Sequence, residues 1–278
     1  MNKGNNVGMK HLPRKRFGQH FLTDLAVINA IVNAIQPQVA DRMVEIGPGL
    51  GALTGPLLAR LAHLHSVEID RDVIATLSRR YPADRMSIHS ADALAFDFGA
   101  LAPAAPPSLR VVGNLPYNIS TPLLFHLATF ADRIVDCHFM LQREVVERMV
   151  AAPGGGAYGR LSVMLQYRFT MAHLFDVPPE AFDPPPRVQS AVVRLLPRPA
   201  IERNAEDEAM FGEVVMQAFG QRRKVLRNAL KGRVSQAQFE AAGISPTARA
   251  EEVAPANYVF LANLLSRAVR DMGLASPS

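Results

Sequence analysis

Short apolar runs recur through the first half of the chain, with amphipathic stretches between them. Runs at residues 43–46, 66–69, 86–89, 109–112 and 134–140 carry Val, Ile, Leu or Met and have the length of strands. The stretches between, for example residues 52–64 and 72–81, space their apolar positions as helices do. Strand and helix alternating from about residue 25 to 141 predict βαβ units and a mostly parallel, doubly wound α/β sheet. Gly154-Gly155-Gly156 predicts a flexible loop, after which residues 161–175 and 191–196 read as the last, antiparallel strands. Pro178-Pro179 and Pro184-Pro185-Pro186 make the connection between those strands stiff, and Pro197-Arg198-Pro199 reads as a linker. Residues 205–272 are rich in Ala, Leu and Arg, with Gly243 and Pro246 as helix breakers, and predict a small all-helical domain. The expected division is residues 1–199 for the sheet domain and 200–278 for the helical one, with no internal repeat.

Composition narrows the class. Hydrophobic residues at 49% and charged residues at 20% are ordinary for a globular protein. No apolar run approaches the ~18 residues of a membrane helix, and residues 1–12 lack the apolar core of a secretory signal. The single cysteine, Cys137, excludes an intrachain disulfide and a Cys-based zinc site. It lies in an apolar run, as a buried structural thiol does. These features predict a reducing, cytoplasmic compartment. His63 and His65 lack companion ligands, so no metal is expected.

The net charge of +5 is unevenly spread. Residues 1–23 hold Lys3, Lys10, Arg14, Lys15 and Arg16 and no acid; residues 214–239 hold Arg222, Arg223, Lys224, Arg227, Lys231 and Arg233 and no acid. Either run alone is a solvated surface. Two in one chain are the footprint of a polyanion-binding protein, and Arg14, Lys15, Arg16, Arg222, Arg223 and Lys224 are the candidate nucleic-acid contacts.

Gly47, Gly49 and Gly51 follow the first predicted strand and precede a helix, which suits a Rossmann-like cofactor turn. Glu68 closes the next strand, where a carboxylate accepts hydrogen bonds from ribose hydroxyls. Asp92 follows the third strand, in reach of an adenine amine. Asp70 and Asp72 read instead as caps of the next helix. Dinucleotides favour Gly-x-Gly-x-x-Gly with a phosphate at the helix N-terminus. Here the third glycine comes one residue early and no basic residue follows nearby. An acidic, phosphate-free cleft suits S-adenosylmethionine, a sulfonium cation, better than a nicotinamide cofactor.

Asn114-Leu115-Pro116-Tyr117 ends the fourth predicted strand. An exocyclic adenine amine is a poor nucleophile because its lone pair is delocalised into the ring. Two acceptors on its hydrogens favour a pyramidal nitrogen, and the Asn114 oxygen with a backbone carbonyl near Pro116 would supply them. Tyr117 can stack on the base. Phe182, on the stiff proline loop, would close on the other face or merely anchor that loop. The sulfonium is already an activated leaving group, so alignment is the main task and no general base is required.

With these motifs in order, the chain resembles the ribosomal RNA adenine dimethyltransferases, in their bacterial small-subunit branch. The resemblance rests on Arg16 to Leu22, Glu45 to Gly51 with Thr54, Val67 to Asp70, Asp92, and Gly113 to Ser120. Gln142 to Val145, Tyr158 to Ser162, Phe182 to Ser190, and Phe219 with Arg222-Arg223-Lys224 extend it over nearly the whole length. It implies a class I S-adenosylmethionine-dependent methyltransferase fold and N6,N6-dimethylation of two adjacent adenosines in a hairpin loop near the 3′ end of 16S RNA. It also implies S-adenosylhomocysteine as product, the pre-30S particle as partner, a monomeric protein, and action late in small-subunit assembly. Cofactor contacts carried over by the resemblance are His20, Leu22, Gly47, Glu68, Asp92 and Asn114; target-base contacts are Asn114, Leu115, Pro116, Tyr117 and Phe182. The alternatives are a large-subunit adenine methyltransferase of the macrolide-resistance type and a mainly non-catalytic assembly factor. The first shares the glycine turn and the Asn-x-Pro-aromatic site; the second would be marked by loss of Asn114, Glu68 or the glycines, all of which are present.

Overall fold

The computed structural model describes residues 20–102, 105–221, 224–271 and 273. In chain order the strands are β1 (Phe21–Leu22), β2 (Arg42–Ile46), β3 (Leu64–Glu68), β4 (Met86–Ser90), β5 (Leu109–Asn114), β6 (Ile134–Gln142), β7 (Phe169–Val177), β8 (Phe182–Asp183) and β9 (Ser190–Pro197). The helices are α1 (Leu25–Ile35), α2 (Thr54–Leu58), α3 (Arg71–Arg80), α4 (Ser120–Ala128), α5 (Arg143–Val150), α6 (Arg160–Arg168), α7 (Glu208–Gly220), α8 (Leu226–Ala229), α9 (Gln236–Ala241) and α10 (Pro255–Asp271).

Seven strands form one sheet in the order β4-β3-β2-β5-β6-β9-β7. The first five are parallel, while β9 runs antiparallel to both β6 and β7. Chain order reverses between β2 and β5, and in such sheets the ligand crevice opens at the carboxyl ends of the strands flanking that reversal. Gly47 follows the end of β2 and Asn114 ends β5, so both motifs sit at that crevice.

Alternating side chains send the sheet into two cores. Val44, Val111, Cys137 and Phe139 join the core packed by α4, α5 and α6. Met43, Val112, Met140 and Val192 join the core packed by α1, α2 and α3. Cys137 is fully buried, and burial raises its thiol pKa well above the usual value. Arg110 locks the lower end of the crevice strands: its guanidinium bridges Asp136 on β6 and Asp41 before β2, and donates to the Ile35 carbonyl at 2.6 Å.

Two elements differ from expectation. Residues 52–64 form only the short α2, because Gly55 and Pro56 occupy its first turn and the chain leaves the helix early enough for Ala62 N–H to reach the Val39 carbonyl. Leu64 already opens β3. Residues 161–168 are helix α6, not strand. Leu161 and Leu165 face the sheet core, while Val163 and Tyr167 face a third core built by α7–α10. Burial on two sides leaves every second residue of a helix buried, and that imitates the period of a strand. Ser162 fixes the start of α6 by accepting the Gly159 N–H at 3.0 Å and donating to the Arg148 carbonyl.

The helical region follows the breaker residues: Gly243 takes a left-handed φ of 64° just past α9, and α10 begins at Pro255. Among the described residues no helix is long and apolar enough to cross a membrane.

Candidate active site

The crevice holds a cavity of about 370 Å³ between the glycine turn, β5 and the chain before α1. Its floor is the turn after β2. Gly47 and Gly49 adopt φ of 63° and 53°, a region costly for residues with a Cβ. Gly51, expected at the cofactor, is not part of the wall. Its missing Cβ faces Leu77 of α3 at 3.3 Å and Thr54, so it closes the turn from behind.

Three carboxylates line the cavity and no Lys or Arg does, among the described residues. Glu68 accepts the Ile69 and Asp70 N–H groups on one oxygen, each at 2.8 Å, and the Gly49 N–H of the glycine turn also bonds to its carboxylate. Burial raises its pKa and those N–H groups oppose the rise. Asp92 is exposed and held by the Leu94 N–H at 2.9 Å. Glu45 was not among the expected contacts. It is 2% exposed, accepts the Thr54 hydroxyl at 2.6 Å and has its pKa raised to about 7, mainly by burial, with the Thr54 bond opposing and Glu68 adding. The signal was present in the sequence as one acid inside an apolar strand.

Asn114 sits across the cavity. Its side-chain nitrogen donates to the His20 carbonyl at 3.4 Å, and its oxygen has no protein partner among the described residues. The next carbonyl, that of Leu115, is likewise unpartnered among them, whereas the Pro116 carbonyl accepts Ile119 N–H and that of Tyr117 accepts the Ser120 hydroxyl. Leu115 itself is buried, so its contribution to the cavity comes through the backbone. Two free acceptors on adjacent residues match the two hydrogens of one amine.

The N-terminal strap closes the side. Leu22 pairs with Phe182 and Phe21 with Asp183 in a two-stranded ribbon. The His20 imidazole donates from Nδ1 to the Pro184 carbonyl at 2.8 Å, so it holds the proline loop, while its ring lies nearly parallel to that of Tyr117. Phe182 borders the cavity, is 4% exposed and packs in the core with Leu22 and Ala181. Of the basic candidates, Arg14, Lys15, Arg16, Arg222 and Arg223 lie outside the described residues, and Lys224 is exposed. No group of three or more metal-ligating side chains occurs among the described residues.

The profile of a family described as "Ribosomal RNA adenine dimethylase" matches residues 10–267. The chain belongs to that family. A relative called "Ribosomal RNA small subunit methyltransferase A" in Methylobacillus flagellatus is 59% identical over 258 residues, covering 93% of this chain and 100% of the relative. One of the same description in Thiobacillus denitrificans is 61% identical over 248 residues, covering 89% and 96%. Among solved structures, a dimethyladenosine transferase from Plasmodium falciparum shares the fold, with a TM-score of 0.73 at 22% identity over 91% of this chain and 98% of that one. The 23S rRNA methyltransferase ErmE gives 0.64 at 25% identity, over 88% and 99%. The rRNA adenine dimethylase fold is thus a class I methyltransferase sheet with a helical C-terminal part.

Proposed function

We propose that this chain transfers methyl groups from S-adenosylmethionine to N6 of two adjacent adenosines near the 3′ end of 16S ribosomal RNA, in pre-30S particles. The single observation that carries the chemistry is the pair of free acceptors, the Asn114 oxygen and the Leu115 carbonyl, at the reversal point of an acid-lined crevice. Among the rRNA adenine dimethylases, relatives at about 60% identity that bear the small-subunit name favour that RNA over the large-subunit one.

The residues present fit the cofactor. A cavity with Glu45, Glu68 and Asp92 and without a described Lys or Arg favours a cationic nucleoside over one carrying phosphates. Gly47, Gly49, Glu68, Asp92, His20, Leu22 and Asn114 would hold it. When bound it supplies a sulfonium-activated methyl group. The chain's own work is alignment: Asn114 and Leu115 orient the amine lone pair, Pro116 shapes the turn, and Tyr117 gives the base a face. S-adenosylhomocysteine is the expected product, no metal takes part, and the working unit is a cytoplasmic monomer. The helical region from residue 200 onward, together with the basic segments, docks RNA backbone.

Incubation with unmethylated small-subunit particles and S-adenosylmethionine should release S-adenosylhomocysteine in step with adenosine methylation; particle binding with no release would point to a pure assembly factor. Glu45 gives a sign to the pH dependence. A cation beside it favours the carboxylate, so cofactor affinity should rise as pH passes upward through about 7. Glu45→Gln should remove that slope in titration calorimetry, and a wild-type affinity flat between about pH 6 and 8 would contradict the role.

Charge reversal at Arg222, Arg223 and Lys224 should weaken binding to pre-subunits and flatten its salt dependence, by about 0.7–0.9 in log–log slope per lost phosphate contact. An unchanged slope would remove that segment from the RNA interface.

A further inference from the structure

The hydroxyl of Tyr117 lies 2.7 Å from the Oγ of Ser190, the first residue of β9. Ser190 is fully buried and does not border the cavity. It is held between two strands, opposite Gln142 of β6 and Val177 of β7. Its neighbours Ala191, Val192 and Val193 are all apolar and buried, so a hydroxyl here stands out among them. Buried hydroxyls persist where they are paired, and the partner here is the tyrosine that the target site presents. Gln189, just before it, is also tied down: Arg143 donates its backbone N–H to the Gln189 carbonyl at 2.9 Å and its guanidinium to the Gln189 side-chain oxygen at 2.8 Å.

Tyr117 itself sits on a loop between β5 and α4, where a ring is free to turn about its side-chain torsions. We infer that Ser190 is a positioning residue for methyl transfer: by holding the Tyr117 hydroxyl to β9, paired between β6 and β7, it fixes the plane of the ring against which the target adenine is laid. The His20 ring, 6.1 Å away and tilted by 26°, lies nearly parallel to that fixed plane. Base stacking is a face-to-face contact, so an unfixed ring would let the amine drift from the two acceptors at Asn114 and Leu115. The inference rests on the assignment of Tyr117 to the target base.

Steady-state transfer to small-subunit particles with Ser190→Ala, Tyr117→Phe, the double variant and Tyr117→Ala tests it. Tyr117→Phe removes one half-buried hydroxyl and keeps the ring, so its folding is not at issue. Each of Ser190→Ala and Tyr117→Phe should lower kcat about tenfold, the loss of one neutral hydrogen bond. KM for S-adenosylmethionine should stay unchanged, and the double variant should be no worse than either single one. Ser190→Thr, which keeps the hydroxyl, should restore kcat. Losses that multiply in the double variant, or wild-type kcat in Ser190→Ala and Tyr117→Phe while Tyr117→Ala is inactive, would overturn the positioning role alone. Wild-type transfer by Tyr117→Ala would overturn the assignment of Tyr117 to the base, and the positioning role with it.

Discussion

Replacing Asn114 with alanine should cut methyl transfer by about 10²–10³-fold or more, the usual loss when one preorganised polar partner of a transition state is removed. The side-chain oxygen is one of two adjacent acceptors at the end of β5 without a protein partner among the described residues, the other being a backbone carbonyl that no substitution deletes. Without it the amine keeps a planar, delocalised lone pair. The fold should be little affected, because Asn114 is the last residue of β5 and its one side-chain bond among the described residues, to the His20 carbonyl, is long at 3.4 Å. Binding to pre-subunits should stay near normal. Transfer measured with labelled S-adenosylmethionine, alongside a thermal melt and a binding isotherm, checks all three; near-wild-type transfer would contradict the site.

Gly113→Ala should be the most damaging change that touches no ligand. A Cβ at this position would stand 2.6 Å from the Ile46 carbonyl oxygen and 3.1 Å from the Leu115 side chain. The first contact is with backbone of the neighbouring strand, which cannot swing aside. β2 and β5 must therefore part where one leads into the glycine turn and the other ends in Asn114. Overpacking of this kind costs about 1–3 kcal/mol of stability, and a displacement of about 1 Å at the reacting groups costs about 10²-fold in rate. A chemical melt and a kcat measurement read the two effects separately. A variant with both unchanged would mean that β2 and β5 are not held this close.

The sheet was legible because parallel strands buried on both faces are near-continuous apolar runs. The five parallel strands all fall where those runs lie. Helix α6 was not, because two different cores claim alternate residues, Leu161 and Leu165 on one side and Val163 and Tyr167 on the other. Such a pattern cannot be told from a strand until the third core is known. At the site, the sequence placed Asn114, Tyr117, Glu68, Asp92, Gly47 and Gly49, all of which border one cavity. Motif spacing tells which glycines are needed but not which face the ligand, so Gly51 was expected on the wall and instead packs on α3. Phe182 illustrates the same limit: an aromatic on a proline loop can stack or anchor, and here it both borders the cavity and packs with Leu22. Glu45 and Ser190 lie in the resemblance motifs but were given no role, because what each does depends on a partner outside its own element, Thr54 and Tyr117.

The central claim is which RNA and which atoms receive the methyl groups. Unmethylated small-subunit particles and large-subunit RNA would be incubated in parallel with the protein and labelled S-adenosylmethionine, and the RNA products mapped by mass. Two adjacent N6,N6-dimethyladenosines near the 3′ end of the small-subunit RNA, with no label in the large-subunit RNA, is the predicted result. Label in large-subunit RNA with none in the small subunit would contradict it.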